Sequence, residues 1–127
     1  MKGSSILGGC YCGAVRYALV DRDYLVVNCH CSQCRRSSAA PFVTWLCANR
    51  ESFRFTAGKP KMLVSSEKGR RYFCAECGTP LIFTHAERPE DIDVTTGSLD
   101  QPELFAPTRA VHSDNRLPWL PATATNP

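Results

Sequence analysis

The chain has 127 residues, a formal net charge of +3, 43% hydrophobic residues and eight cysteines. That length suits one compact domain with a small core, and the longest aliphatic run, Leu25 to Val27, falls far short of the ~20 residues a membrane-spanning helix needs. The opening MKGSSILGGC has a single Lys and no apolar run of signal-peptide length, so the expected location is cytoplasmic, where thiols stay reduced and clustered cysteines act as metal ligands rather than disulfides.

Taken in chain order, Val15, Tyr17 and Leu19 alternate with small or polar residues and predict a strand. Leu25 to Asn28 predicts a second. A short helix is expected next, with Ser32 capping a turn through Gln33, Arg35 and Arg36 and its N-terminal partial charge facing thiolates. Further strands are expected over Phe42 to Cys47, around Phe53 and Phe55, over Lys61 to Ser65, Arg71 to Phe73 and Leu81 to Thr84, and around Ile92 and Val94. Gly58-Lys59-Pro60, Gly69 and Gly97 punctuate them as turns. The expected fold class is mainly β, an antiparallel domain over residues 1–120, with a flexible tail, PATATNP, over 121–127.

Seven of the cysteines form three motifs: C-x-C at Cys10 and Cys12, C-x-C-x-x-C at Cys29, Cys31 and Cys34, and C-x-x-C at Cys74 and Cys77. Zinc is the soft-ligand metal without redox demands. A structural zinc takes four protein ligands, and two separated pairs supply them, so Cys10, Cys12, Cys74 and Cys77 are assigned to one closed site. The FCAECG segment reads as a zinc knuckle whose amides donate to sulfur and whose Gly78 supplies a positive φ. Joining Cys12 to Cys74 closes a loop of 61 intervening residues, so this zinc is expected to be needed for folding. Cys29, Cys31 and Cys34 remain to share a second ion, with a fourth position open, the arrangement of a zinc that does chemistry. Seven thiolates and two zinc ions together bring the formal charge to zero, which removes basicity as an argument for nucleic-acid binding.

GGCYCGAVRY, CHCSQCRRSSAAPF, GRRYFCAECGTPL and TTGSLD, with His112 and Trp119, resemble the glutathione-dependent formaldehyde-activating enzyme family, which includes centromere protein V. The resemblance runs from about Gly8 to Trp119. It implies a single-domain β-tent fold of antiparallel sheets with at most one or two short helices, and two zinc ions per chain. It divides the ligands in the same way: Cys10, Cys12, Cys74 and Cys77 at a structural zinc, and Cys29, Cys31 and Cys34 at the catalytic one. The implied activity joins formaldehyde to glutathione as S-hydroxymethylglutathione, a carbon-sulfur lyase chemistry, and His112 enters as a substrate-site candidate. Ala39 stands where a Gly is commoner in the family, and its methyl is expected to narrow the approach to the open zinc position.

Three thiolates on one zinc give a site of net charge −1, a poor Lewis acid for water but a good holder of a substrate thiolate. A fourth thiolate raises the negative charge further and calls for cations. Arg35 and Arg36 follow Cys34 directly, and Lys68, Arg70 and Arg71 precede Cys74; of these, Arg35 or Arg36 is expected to offset it or to grip a substrate carboxylate in the bidentate manner of guanidinium. His30, between two ligands, is expected at the surface, turned from the sulfurs by alternation. Trp45 and Trp119 are expected in core or pocket wall, and Cys47 as a small buried hydrophobe without metal. The rival to an enzyme acting on a small thiol is a non-catalytic zinc module binding a thiol or a protein, its second site closed by His30, His85, His112 or a carboxylate. Nucleic-acid binding ranks last, for want of a basic stripe or an aromatic platform.

Overall fold

Alternation places the strands, and cross-strand register then decides which residues share a face. The computed structural model describes residues 5–122. Its ten strands are β1 (Ser5–Gly9), β2 (Arg16–Val20), β3 (Leu25–Cys29), β4 (Val43–Asn49), β5 (Phe53–Ala57), β6 (Lys61–Val64), β7 (Gly69–Phe73), β8 (Pro80–His85), β9 (Asp91–Thr95) and β10 (Arg109–Val111). One α-helix, α1 (Ser32–Ser38), interrupts them, and several single turns of 3-10 helix link the later strands. The mainly β expectation therefore holds. Of the expected tail, residues 123–127 lie outside the described residues, as do residues 1–4.

The strands form two sheets, β1-β2-β5 and β10-β3-β4-β9-β8-β7-β6. All pairings are antiparallel except one: β10 runs parallel to β3, pairing Val111 with Cys29. A wholly antiparallel large sheet was the expectation. The departure arises because β10 returns to β3 after the long excursion through β9, and Thr108 and His30 amides close its two ends on Val26 and Val111 carbonyls.

Register separates the two faces of the large sheet. Val26, Leu46, Val94, Ile82, Tyr72 and Met62 stand opposite one another across β3, β4, β9, β8, β7 and β6. All but exposed Met62 join Tyr17 and Leu19 of the small sheet in the main core. Each fully buried Tyr17, Leu19 or Leu46 contributes on the order of 1.5–3 kcal/mol. The next row, Leu25, Cys47, Asp93, Phe83, Arg71 and Leu63, faces the other way. That second face carries a smaller cluster of Val27, Cys29, Cys34, Val43 and Trp45, and it is where the cavity opens.

Two strands, β1 and β10, escape sequence reading. SILGG, now β1, shows no alternation, yet it pairs along the whole of β2. Its Gly8 is required, because a Cβ there would stand 2.4 Å from the Tyr17 hydroxyl. Gly69, expected in a turn, instead opens β7 opposite His85.

Candidate functional site

The two groups of cysteines assemble as the spacing predicts: Cys10, Cys12, Cys74 and Cys77 in one place, and Cys29, Cys31 and Cys34 in another, with all sulfurs of a group within 4.8 Å of one another. All eight cysteines are free thiols. Sulfurs about 2.3 Å from a central zinc stand about 3.8 Å apart at tetrahedral corners. Cys10 and Cys12 are 3.7 Å apart, and Cys12 and Cys74 are 3.8 Å apart, so the four-thiol group has the dimensions of a zinc site.

Two turns build that group. After β1, the chain turns at Gly13, and the Val15 amide donates to Cys10 Sγ at 3.2 Å. Between β7 and β8, the Glu76 amide donates to Cys74 Sγ at 3.3 Å, the Gly78 amide closes on the Cys74 carbonyl at 2.8 Å, and Gly78 holds φ 83°. Thr79 ties the turns together, since its hydroxyl accepts from the Tyr11 amide at 3.0 Å and lies 3.2 Å from Cys77 Sγ. Hydrogen bonds from the Thr79 hydroxyl and amide draw the Cys77 thiol down to about 5, which favours the thiolate a metal requires.

The three-thiol group sits at the end of β3 and the start of α1. Cys31, rather than the expected Ser32, is the N-cap: its sulfur accepts from the Cys34 amide at 3.2 Å. A thiolate there also complements the helix N-terminus. Cys34 is buried, and its thiol is drawn down to about 5, first by hydrogen bonding with Cys29 and then by Trp45 and Arg71. Cys29 is pushed up by the same pairing with Cys34 and by burial. Arg71 Nη2 lies 3.7 Å from Cys34 Sγ.

Cys29, Cys31 and Cys34 line a cavity of about 410 Å³. Its other walls include Trp45 and Cys47 of β4, Arg71 of β7, Phe83 and His85 of β8, Arg88, Asp93 of β9, and His112. Burial pushes the Asp93 carboxyl up, against the pull of Arg88. Burial and Asp93 push the Cys47 thiol up to about 11.

Several expected residues lie elsewhere. Arg35 and Arg36 line a separate, shallow concavity with Ala39, Ala40, Pro41, Leu117 and Trp119. Ala39 thus does not line the cysteine cavity; it is the C-cap of α1 at φ 51°, a conformation that favours Gly. Trp119 is 69% exposed, whereas Trp45 is buried and lines the cavity. His112 does reach the cavity, also with a left-handed backbone at φ 54°.

His30 is the clearest correction. It is 2% exposed, not a surface residue. Alternation turns it from the sulfurs, as expected, but into the protein, where its ring lies 5.3 Å from that of Phe42. Among the described residues, neither ring nitrogen has a hydrogen-bond partner. Burial and Arg116 hold its pKa down. Cys47, half-buried, faces the cavity instead of being sealed in core. Arg88 and Asp93 are cavity residues that sequence reasoning did not single out, and Arg71 entered it only as one of the cations preceding Cys74. No local motif marks them, and only the register that aligns Arg71, Phe83 and Asp93 brings them together.

Comparison with known proteins gives concordant findings. The sequence model of the family described as glutathione-dependent formaldehyde-activating enzyme matches residues 5–115. An uncharacterized lyase of Schizosaccharomyces pombe is 31% identical over 78 residues, covering 61% of this chain and 56% of that protein, so the match spans little more than half the relative's length. A Halomonas elongata protein, provisionally named a glutathione-dependent formaldehyde-activating enzyme, is 25% identical over 123 residues, covering 89% of this chain and 78% of its own. A Rhodobacter sphaeroides protein of known crystal structure superposes with a TM-score of 0.62 at 23% identity, over 75% of this chain and 88% of the other. That likeness establishes the fold.

Proposed function

Because the chain belongs to the glutathione-dependent formaldehyde-activating enzyme family, we propose that it is a carbon-sulfur lyase-type enzyme acting on glutathione-thiol adducts, in the manner of an S-hydroxymethylglutathione synthase. The observation that carries this reading is the three-sulfur group on the wall of a cavity of about 410 Å³. Cys29, Cys31 and Cys34 are the proposed ligands of a second zinc, and Cys10, Cys12, Cys74 and Cys77 those of the first. Zinc bound by three thiolates supplies a soft, electron-rich coordination position that prefers a substrate thiolate to water.

The chain's own residues do the rest. Trp45 and Phe83 give the cavity apolar walls that limit water around the reacting groups. Arg71 sets a positive charge beside Cys34, offsetting the charge of clustered thiolates. His112 is proposed to contact substrate from the wall it occupies. In the synthetic direction, the substrate sulfur adds to the formaldehyde carbon, the carbonyl π pair moves onto oxygen, and that oxygen takes a proton from solvent. The lyase direction reverses each change.

The rival, a closed second site, needs a fourth protein ligand. Among the described residues, no His, Asp or Glu joins the three sulfurs within 4.8 Å, which supports the open arrangement. The test is exchange NMR of glutathione with formaldehyde in the presence of zinc-replete protein. Faster interconversion of free and hydroxymethylated thiol, at an unchanged equilibrium and lost in Cys31→Ser, is expected. Equal rates with wild type and Cys31→Ser contradict the reading.

A further inference from the structure

Two arginines line the cysteine cavity, and the protein treats them differently. Arg88 donates to Asp91 at 2.9 Å and to Asp93 at 3.3 Å, so its charge is matched internally. Arg71 is 9% exposed, and it forms no ion pair with a carboxylate among the described residues. Its Nε is buried without a hydrogen-bond partner among the described residues. The guanidinium carbon lies over the Phe83 ring, 4.7 Å from the centroid.

A guanidinium withdrawn from water costs several kcal/mol unless its charge and its N–H groups are matched. The Cys34 sulfur meets one nitrogen of Arg71 and leaves Nε idle. We infer that Arg71 is the carboxylate anchor of the thiol substrate, so that this cavity selects thiols that also carry a carboxylate; the inference rests on the thiol reading above. A carboxylate bears its charge in the bound ground state and can take the guanidinium N–H that Cys34 leaves idle, whereas the formaldehyde oxygen is neutral until the bond forms. The rigid fork of guanidinium also fits a carboxylate's two oxygens. Contact between Arg71 and Cys34 places the anchor beside the sulfur group, within the span of one small molecule. Arg35 and Arg36, in their separate concavity, are not available for this role.

Calorimetric titration of the zinc-loaded protein tests the inference with glutathione, glutathione diethyl ester, S-methylglutathione and 2-mercaptoethanol. S-methylglutathione keeps both carboxylates but has no free thiol, and 2-mercaptoethanol has the thiol alone. Arg71→Gln should weaken glutathione and S-methylglutathione by about 10–100-fold more than 2-mercaptoethanol, which loses only the charge that Arg71 sets beside Cys34. Wild type should bind the diester correspondingly more weakly than the free acid, a comparison that decides the matter even where Arg71→Gln does not fold. Arg71→Lys, which keeps charge and loses the fork, should fall between. Equal weakening of 2-mercaptoethanol and glutathione by Arg71→Gln, or equal wild-type affinity for acid and diester, overturns the anchor and leaves Arg71 as a partner of the sulfurs only. If wild type binds S-methylglutathione in an Arg71-dependent, ester-sensitive way but no free thiol more tightly, the anchor stands and the thiol reading fails.

Discussion

Cys10, Cys12, Cys74 and Cys77 lie on two turns from different sheets, and backbone amides with Thr79 hold their sulfurs. Cys29, Cys31 and Cys34 lie on one continuous segment, met by side chains of β4 and β7 instead. Exposure does not tell them apart in the expected direction: Cys12 of the four-sulfur group is exposed, while Cys29 and Cys34 of the three-sulfur group are buried. The difference lies in completeness and in what each group joins. Holding the proposed zinc ions, four sulfurs from two distant turns would cross-link the fold, whereas three sulfurs from one segment, facing a cavity, would leave a coordination position for something else.

The largest effect should follow from opening the closed group. Cys74→Ser is expected to cost about 4 kcal/mol or more, or to prevent folding, because the cross-link between the two turns is lost with the metal. A thermal melt reads this directly. A Cys74→Ser protein that melts with wild type would show that the four-sulfur group is not a structural cross-link.

Cys31→Ser should be much milder. Serine is a good N-cap and can still accept from the Cys34 amide, so the fold should persist while bound zinc drops from about two to about one per chain, as measured by atomic emission. A mild chelator should do the same to wild type. Simultaneous loss of both metals would erase the proposed distinction.

Thiol reactivity sharpens the comparison within the cavity. In protein stripped of the labile metal, Cys34, with its thiol drawn down to about 5, is thiolate at pH 7, and Cys47, pushed up to about 11, is not. Access favours half-buried Cys47 over buried Cys34, so the pH dependence of iodoacetamide labelling separates the two thiols. Raising the pH should leave the Cys34 rate flat above about pH 6 and increase the Cys47 rate up to about pH 11. Peptide mapping that finds the Cys34 rate climbing between pH 7 and pH 9 contradicts the account.

The smallest change expected is a gain. Ala39→Gly relieves a left-handed residue at the end of α1 and should add about 0.5–1 kcal/mol in a denaturant melt, with metal content unchanged. Altered zinc binding would mean that Ala39 acts on the second site after all.

Much of this arrangement is legible in the sequence because cysteine spacing survives folding: C-x-C, C-x-C-x-x-C and C-x-x-C each deliver their sulfurs locally. Alternation likewise reveals β2 and β9, whose Tyr17, Leu19, Ile92 and Val94 face the core. SILGG carries no such periodicity, and its pairing depends on Gly8 admitting Tyr17. His30 shows the limit of alternation, which tells that a side chain turns away from its neighbours but not whether it turns toward water or toward Phe42. The cavity's charged wall is a product of register across β7, β8 and β9. Adjacency in sequence favoured Arg35 and Arg36, but the helix carries them to another surface.

Zinc-edge X-ray absorption on the two-metal protein tests the central claim, that one group is closed and the other open to a thiol. Without ligand, the average shell should hold between three and four sulfurs per zinc with a residual oxygen or nitrogen neighbour, as one four-sulfur and one three-sulfur group require. Saturating glutathione should raise the average to four sulfurs and remove the lighter neighbour. A shell that glutathione leaves unchanged would contradict the claim.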